Sequence, residues 1–304
     1  MSSAPSSAVG SAASTAATGA ARRLDIEPLP ASFGALVRGV RLAVLEAQDW
    51  HALRAAWLEY ALLIFPDQHL DRAEQIAFAR RFGRLEFTFA AISNLAPDGS
   101  VRTDAARDDV LRLLEGNLEW HADSSYLPVM ATGAVFSARV VPRSGGQTEW
   151  ADMRAGYEAL DADQRARIAG LSAWHSIACS QARIGHVVGP DSDMIGYGFD
   201  AGTRALRPLV KVHPETGRRS LLIGRHAHAI PGLAEAESSR LLDELTRIAC
   251  RPPRVYSHAW AAGDVAVWDN RCLLHRARPW DPSEARVMWH TRIAGDPASE
   301  AASA

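Results

Sequence analysis

The sequence predicts a mainly β fold with flanking helices (α+β), arranged as a double-stranded β-helix, or jelly roll. From about residue 130 onward, short β-type runs alternate with Gly/Pro turns, which is typical of many short strands in stacked sheets. Only a few helical stretches interrupt these runs, so the helices are expected to lie outside the strands. The chain has 304 residues, of which 47% are hydrophobic, and this suits one large β unit.

The first third of the chain contains strand and helix signals in turn. The folded part is expected to begin near Leu24, where LDIEPLP and GALVRGVRL predict short strands around turn residues. Residues 48–60 carry apolar positions at helical spacing, and the continuous apolar run ALLIF then predicts a buried strand. Asp71 opens a second helix as its N-cap, with Glu74 completing a capping box and Gly83 as the stop.

The rest of the chain supplies the strands of the expected jelly roll. The strand signals are GAVFSARVV, RPLVKVHP, SLLIG, DVAVWD and ARVMWHTRIAG, each bounded by turn residues. Two stretches have helical spacing instead, namely ADMRAGYEALDADQRARIAGL and GLAEAESSRLLDELTRIAC. A double sheet of this kind can enclose a small-molecule site.

Composition and charge exclude several classes of protein. The net charge of −2 gives no electrostatic reason to bind nucleic acid or an anionic membrane, and no apolar run reaches the roughly 20 residues of a membrane span. Cys179, Cys250 and Cys272 have unrelated spacings, which predicts reduced thiols in a cytoplasmic protein. Residues 1–22 are rich in Ser, Ala and Gly without the features of a secretory signal. We therefore expect a disordered tail, followed by a single domain at 23–304.

Two His-x-Asp triplets are candidates for a metal site. In the first, His69 precedes Asp71, whose carboxylate is already expected to cap a helix. In the second, His121 and Asp123 follow no helix or cap signal, and residues i and i+2 of an extended segment face the same side. His275, after the run DVAVWD, is the candidate third ligand. Two imidazoles and one carboxylate on one face of a metal leave three positions open, as in non-haem Fe(II) oxygenases.

An arginine follows the last candidate ligand at a position that suits an anionic ligand. Arg286 lies eleven residues after His275 and begins the strand-like run RVMWHTRIAG. A guanidinium there can clamp a carboxylate through two parallel N–H bonds. The combination of His-x-Asp, a distant His and this arginine favours a metal site that also binds a carboxylate.

The motifs around these residues resemble those of a known enzyme family. WHADSSY, SGGQTEWADMRAGYEAL, VWDNRCLLHRARPW and RVMWHTRIAGD are similar to segments of the taurine dioxygenase/2,4-dichlorophenoxyacetate dioxygenase family, over about residues 24–296. Within that family, GNLEWHADS, GAVFSARVVP, RPLVKVHPETGR, SLLIGRHAHAIPG and WAAGDVAVWDNRCLLHRA look like the (S)-selective phenoxypropionate (dichlorprop), or aryloxyalkanoate, group. The resemblance implies one jelly-roll dioxygenase domain that uses Fe(II), with 2-oxoglutarate and O2 as cosubstrates.

The same resemblance assigns the residues of the cofactor site. The three candidate metal ligands match the iron ligands of the family. Thr148 and Arg286 match the residues that bind the distal carboxylate of 2-oxoglutarate, and Trp268 matches a tryptophan that lines the same pocket. An ordinary strand threonine and a core tryptophan are the structural alternatives for Thr148 and Trp268.

The implied substrate is a small anionic aromatic molecule, and one position departs from the wider family. Relatives that bind a sulfonate or carboxylate usually place a second arginine four residues after the first, where this chain has His290. Arg292, two residues further along the strand, would lie on the same face and is the candidate replacement. A protonated His290 is the alternative, and it would make binding depend on pH. Asn117, Ser125 and Arg225 are weaker candidates for substrate contacts.

Three rival interpretations follow from the same residues. The first keeps the chemistry but changes the substrate to an alkyl sulfonate, a sulfate ester or another small carboxylate. The second is a zinc hydrolase that uses His226 and His228, although no Cys or Glu partner stands at a characteristic spacing. The third is a binding protein without enzymatic activity, which the intact triad with Arg286 argues against. Self-association into a homo-oligomer is left open.

Overall fold

A computed structural model describes residues 24–104, 108–187 and 202–303 of the chain. The tail predicted at 1–22 lies outside these residues. The strands are β1 (Asp25–Pro28), β2 (Ala35–Arg38), β3 (Leu62–Phe65), β4 (Leu85–Ser93), β5 (Gly133–Val140), β6 (Thr148–Asp152), β7 (Ser172–His175), β8 (Ala205–Pro208), β9 (Val210–Val212), β10 (Arg219–Leu221), β11 (Val255–His258), β12 (Val265–Asp269), β13 (Leu273–Ala277) and β14 (Val287–Ile293).

Among the residues that the structure describes, the α-helices are fewer than the strands, as the sequence predicts. They are α1 (Ala47–Tyr60), α2 (Arg72–Arg80), α3 (Asp109–Gly116), α4 (Met153–Glu158), α5 (Ala162–Ile168), α6 (Ile177–Ala182), α7 (Glu235–Ala249) and α8 (Pro297–Glu300). The capping box at the start of α2 is confirmed, because Asp71 accepts from the N–H of Glu74, whose side chain accepts from the N–H of Asp71. The helix ends at Arg80, before Gly83.

Two facing sheets form the body of the fold. The larger has seven strands in the order β1-β2-β3-β12-β5-β14-β4, and the smaller has the order β11-β6-β13. A shared core fills the space between them, where the rings of Trp150 on β6 and Trp268 on β12 lie 5.9 Å apart. All strand pairs in these sheets are antiparallel except β2–β3. The prediction of a mainly β fold with flanking helices is confirmed.

Two sequence segments fold differently from the prediction. The helical stretch that begins at Ala151 instead contributes the end of β6 and then forms two helices, because Asp161 caps α5 with its own capping box. The run RPLVKVHP contains two strands with different partners. β8 pairs with β7, whereas β9 pairs with β10, and the change of partner follows Pro208, which lacks a backbone N–H.

Within the described residues, the helices are too short or too polar for any of them to cross a lipid bilayer. The longest is α7, with 15 residues.

Candidate active site

Two backbone hydrogen bonds bring the distant histidines of the predicted triad together. The N–H of His121 donates to the carbonyl of His275 (3.0 Å), and the N–H of His275 donates to the carbonyl of His121 (2.9 Å). Asp123 follows two residues later, in a turn that passes through Ser124 at a φ of 54°. The three side chains are buried, and their ligand atoms lie within 4.8 Å of one another. The fold therefore assembles two imidazoles and one carboxylate at a single point.

Hydrogen bonds around the triad leave suitable atoms for a metal. Nδ1 of His121 lies 2.8 Å from the carbonyl oxygen of Glu119, so this nitrogen carries the proton. Nε2 is then unprotonated, and its lone pair can bind a metal. Oδ2 of Asp123 is buried without a hydrogen-bond partner in the described part of the chain. A buried carboxylate oxygen of this kind needs a compensating group, and a divalent metal provides one.

The backbone of Asp123 is fixed by the end of β12. The side-chain oxygen of Asn270 accepts from the N–H of Asp123 (2.9 Å), and its amide nitrogen donates to the carbonyl of Asp123 (2.8 Å). Asn270 lies two residues after Trp268, in the segment VWDNRCLLHRARPW. This residue thus holds the turn at Asp123 through its backbone, without contacting the candidate ligand atoms.

The protonation states of the triad also suit a metal. Burial lowers the pKa of His121 to about 4 and lowers that of His275 well below its ordinary value. Burial would raise the pKa of Asp123, but Arg292 and His275 hold it well below its usual range. Neutral imidazoles and an ionised carboxylate are the forms that bind Fe(II), Mn(II) or Zn(II). With N, N and O atoms on one side, the set fits the facial triad of a non-haem iron enzyme.

A second group with metal-ligand chemistry is explained by ion pairs. His213, Asp269 and Cys272 lie close together, but Arg271 binds both oxygens of Asp269 at 2.8 and 2.6 Å. Nε2 of His213 lies 2.9 Å from the same carboxylate. Burial raises the pKa of the Cys272 thiol well above its usual value, so the thiol stays protonated. The guanidinium already provides the positive charge that a metal would supply.

The other sequence candidates for metal binding do not converge. His69 is exposed and pairs with Asp67 at 2.8 Å, while Asp71 serves as the helix cap. His226 is buried and contacts Ser180 at 2.9 Å. Neither His226 nor His228 joins a metal-ligand group within the residues that the structure describes. The rival zinc hydrolase therefore has no support from the geometry.

A cavity of about 250 Å³ opens beside the triad. Most of the residues that the sequence singles out line its wall, whereas Ser125 does not. The lining includes His121, Asp123, His275, Thr148, Arg286, Trp268, His290, Arg292, Asn117 and Arg225. Ser125 is buried elsewhere, with its hydroxyl 3.0 Å from Nδ1 of His175.

Arg286 places a positive charge in this wall without a carboxylate to balance it. Its side chain is 3% exposed, and burial alone lowers its pKa to about 10. Its Nε donates to the carbonyl of Gly146 (3.1 Å), and its guanidinium lies 5.2 Å from the ring of Trp280. No carboxylate in the described ranges pairs with it. A buried, unbalanced guanidinium is a binding site for an anion.

Thr148 and Trp268 line the same cavity as Arg286. Oγ1 of Thr148 accepts from Nε1 of Trp260 (2.9 Å), which leaves its own proton available to a ligand. The indole N–H of Trp268 is buried without a partner among the described residues. The ring of Trp268 packs against His275 at 4.8 Å. Both residues therefore pack in the core, and the hydroxyl of Thr148 and the indole N–H of Trp268 remain able to donate to a ligand.

His290 and Arg292 contact the metal-binding carboxylate instead of standing free in the cavity. Nε2 of His290 lies 3.4 Å from Oδ2 of Asp123, and its ring stacks on Trp268. Burial lowers the pKa of His290, which favours the neutral imidazole over the cation that one sequence-based alternative requires. Arg292 pairs with Oδ1 of Asp123 at 3.1 Å and with Glu86 at 3.1 Å.

Arg225 is held at the cavity by residues of α6. Its Nη2 donates to the carbonyl of Ser180 (3.1 Å) and to the side-chain oxygen of Gln181, and its Nε lies 3.3 Å from a carboxylate oxygen of Glu119. A Cβ at position 116 would collide with this guanidinium, so the glycine is what allows Arg225 to lie here. Asn117, also at the cavity, ends α3, and its carbonyl accepts from the N–H of Ala277 (2.8 Å).

Most of the apolar wall and one tyrosine of the cavity were not predicted from the sequence. Tyr126 lines the cavity, and burial raises its pKa to about 12, so it remains a phenol. Its only sequence signal is its place in WHADSSY. The apolar wall comes from β4, α3 and α6, and it includes Phe87, Ile92, Val110, Leu113, Leu114 and Ile177. The amphipathic run DVLRLLEG was the available signal for α3.

Comparisons with known proteins agree with this geometry. Residues 25–292 match the taurine catabolism dioxygenase TauD, TfdA family. The (S)-phenoxypropionate/alpha-ketoglutarate-dioxygenase of Sphingobium herbicidovorans is 63% identical over 91% of this chain and 97% of that protein. An enzyme of the same description from Delftia acidovorans is 58% identical, and the match covers 92% of this chain and 98% of that protein. The crystal structure of AAD-2 in complex with Mn(II) and N-oxalylglycine has a TM-score of 0.84 and 34% identity, and the match covers 93% of this chain and 99% of that one. This likeness confirms the predicted jelly roll.

Proposed function

This chain belongs to the taurine catabolism dioxygenase TauD, TfdA family, and from that premise we propose that it oxidises an aryloxyalkanoate such as an (S)-2-phenoxypropionate. It is an iron(II)- and 2-oxoglutarate-dependent dioxygenase. Fe(II) with 2-oxoglutarate supplies the O2 chemistry that oxidises a C–H bond, and succinate and CO2 are the coproducts. The protein itself supplies position, charge and a cavity shielded from water.

The residues of the proposed metal and cosubstrate sites share one cavity. His121, Asp123 and His275 would hold the iron, for which they offer two imidazole nitrogens and the unpartnered Oδ2 of the carboxylate. Arg286 would bind the distal carboxylate of 2-oxoglutarate, because this guanidinium is buried without a counter-charge. The hydroxyl of Thr148 would donate to the same carboxylate, and Trp268 would close the pocket beside it.

The observation that carries the substrate proposal is the composition of the remaining wall. Apolar side chains from β4, α3 and α6 line the cavity together with Arg225, a combination that matches an aromatic ring joined to a carboxylate. Arg286 is assigned to the cosubstrate, and Arg292 is engaged with Asp123 and Glu86. Arg225 is also paired, with Glu119 at 3.3 Å, but that carboxylate is 52% exposed, so Arg225 remains the best-placed partner for the substrate carboxylate, with Asn117 also in the cavity wall.

The reaction that we propose ends in cleavage of the ether. Hydroxylation at the carbon that bears the ether oxygen gives a hemiketal, or a hemiacetal where that carbon also carries a hydrogen. This product collapses to a phenol and a 2-oxo acid. One 2-oxoglutarate and one O2 are consumed, and one oxygen atom enters the substrate carbon while the other enters succinate. Tyr126, a phenol at neutral pH, and the neutral imidazole of His226 can contribute hydrogen bonds but no charge.

We further propose that residues 23–304 form one dioxygenase domain that works in the cytoplasm. The family match spans residues 25–292, and Cys179, Cys250 and Cys272 are free thiols. Reduced thiols and an oxidisable Fe(II) site both suit a reducing compartment.

The test is a substrate panel that measures succinate and phenol together. The protein is loaded with Fe(II) and 2-oxoglutarate without oxygen, and O2 is then admitted with each enantiomer of 2-phenoxypropionate, an alkyl sulfonate or a sulfate ester. We expect phenol and succinate in equal amounts with the (S)-aryloxypropionate, and loss of both in Asp123→Ala. Succinate without phenol from the aryloxypropionates, together with turnover of the sulfonate or sulfate ester, would favour the rival substrate class.

A further inference from the structure

The two carboxylate oxygens of Asp123 have different surroundings. Oδ1 accepts a hydrogen bond from Nη2 of Arg292 at 3.1 Å. Oδ2 is buried and makes no hydrogen bond within the residues that the structure describes, although the uncharged ring of His290 places its Nε2 3.4 Å away. A carboxylate that is free to rotate would present either oxygen to a metal, or both. In this arrangement only Oδ2 is available.

Arg292 is itself fixed on several sides. Its Nη1 donates to Oε1 of Glu86 (3.1 Å) and to the hydroxyl of Ser124 (2.9 Å), and this hydroxyl in turn donates to Glu86 (2.7 Å). The guanidinium also lies 4.7 Å from the ring of Phe87, its cross-strand partner on β4. The planar fork of an arginine can bridge two carboxylates in this way, whereas a lysine ammonium is a single point of charge.

The charges of this network sum to a single negative charge. Glu86 and Asp123 carry two negative charges and Arg292 carries one positive charge, so the group retains the single negative charge that a lone Asp123 would offer a cation. Arg292 can therefore hold the carboxylate without cancelling its attraction for a metal. Its side chain is 12% exposed, so the contact is shielded from water.

We propose that Arg292 is a positioning residue, which holds Oδ1 of Asp123 so that Oδ2 alone faces the metal. This inference rests on the proposed metal site. It assigns Arg292 a role different from the substrate clamp that the sequence predicts for it. Residues that orient a metal ligand typically change metal affinity roughly ten- to a hundredfold when they are replaced.

The experiment measures Mn(II) binding to the ligand-free protein, without 2-oxoglutarate and without substrate. The variants are Arg292→Lys, which keeps the charge but loses the fork, Arg292→Gln and Ser124→Ala. Arg139→Lys is the matched control, because Arg139 is another guanidinium of the same sheet, packed over Trp289 on β14 at 4.0 Å and absent from the cavity wall. Thermal unfolding of each variant shows whether it is folded.

We expect both Arg292 variants to bind Mn(II) roughly ten- to a hundredfold more weakly, Ser124→Ala to be weakened less, and Arg139→Lys to bind as the wild type does. Loss of a cation alone would strengthen Mn(II) binding, so unchanged or tighter binding by Arg292→Gln would overturn the proposal. Ser124→Ala changes no charge, so it provides the test if the Arg292 variants fail to fold. Mn(II) affinity equal to that of the wild type in Ser124→Ala would then contradict the positioning role.

Failure of this inference can be distinguished from failure of the metal site. His121→Ala and Asp123→Ala should each abolish Mn(II) binding. If either variant still binds Mn(II) as the wild type does, the metal site lies elsewhere and the proposed function fails with it. If both lose the metal while Arg292→Lys and Arg292→Gln bind normally, only the positioning role is wrong.

Discussion

Arg286 is a buried charge whose removal should affect stability and cosubstrate binding in opposite directions. In the ligand-free protein its guanidinium is 3% exposed and has no carboxylate partner in the described ranges. Substitution of Arg286 by Met keeps a long side chain of similar shape but removes the charge. We expect the ligand-free variant to be more stable than the wild type and to bind 2-oxoglutarate poorly.

The magnitude follows from the pKa of Arg286. Burial lowers this pKa from its ordinary value to about 10, which corresponds to roughly 3 kcal/mol of penalty on the charged form. A lowered pKa of a base disfavours its charged form in the folded state, so this penalty is present at neutral pH and fades as the pH rises above about 10. The substitution also loses a hydrogen bond to Gly146, worth about 1 kcal/mol, and a contact with Trp280, worth about 0.5–1 kcal/mol. The net gain in unfolding free energy is therefore about 1 kcal/mol.

The loss in binding should be larger than this gain. Removal of one partner from a buried, hydrogen-bonded charge pair costs about 2–5 kcal/mol, so the dissociation constant of 2-oxoglutarate should rise roughly 30-fold or more. The assay compares thermal unfolding of wild type and Arg286→Met with and without 2-oxoglutarate and Mn(II). Ligand at about 100 times its dissociation constant stabilises a protein by about 2.7 kcal/mol. The wild type should show this increase and the variant should not.

Two results would refute this reasoning. If ligand-free Arg286→Met is clearly less stable than the wild type, the guanidinium has a stabilising partner and is not an unbalanced charge. If the variant binds 2-oxoglutarate with nearly the wild-type affinity, Arg286 is not the cosubstrate arginine. Arg139→Lys is again a suitable control, because its guanidinium lies outside the cavity wall.

Three further predictions test other parts of the structure. In Gly116→Ala the new Cβ would collide with the guanidinium of Arg225, so steady-state kinetics should show a KM for the aryloxyalkanoate raised by about tenfold or more; an unchanged KM would contradict the role of Arg225. Asp71→Ala removes the cap of α2 and should lower the unfolding free energy by about 1 kcal/mol without changing Mn(II) affinity. A loss of Mn(II) binding would instead indicate that His69 and Asp71 form the metal site. Burial lowers the pKa of His175 to about 3, so the unfolded chain binds a proton that the folded chain does not between that pH and about 6.5. The metal-free protein should therefore lose stability as the pH falls through this window, and denaturant titrations at about pH 7 and about pH 5 should show a smaller loss in His175→Gln; an equal loss in both would show that His175 is not responsible.

The sequence predicted the elements that carry strong local signals. The capping box of Asp71 and Glu74 and the apolar run of β3 are complete within a few residues, so local chemistry determines them. β4 was not predicted, because none of its residues is fully buried and the strand depends on pairing with β14, about two hundred residues later in the chain. α3 was missed for a related reason, since a helix of eight residues is unstable alone and depends on its packing.

The site was predicted by residue type, whereas its contacts depend on the tertiary fold. The spacing of His121 and Asp123 indicates one face of a metal, but nothing local shows that His275 forms a backbone bridge with His121. The same holds for Arg292. Its position two residues after His290 suggested a group facing the substrate, whereas its actual partner, Glu86, lies on a neighbouring strand at a separation of 206 residues.

The departure at His290 is explained by the neighbours of this residue. The imidazole of His290 lies beside Oδ2 of Asp123, the atom that we propose for metal binding. This neutral ring stacks on Trp268 and fills the space without a charge. With Arg292 bound to Oδ1, strand β14 has no cation left for the substrate. Under the proposed function, the substrate anion would then be bound by Arg225, on the segment after β10, where Glu119 and Gln181 hold it at the apolar wall.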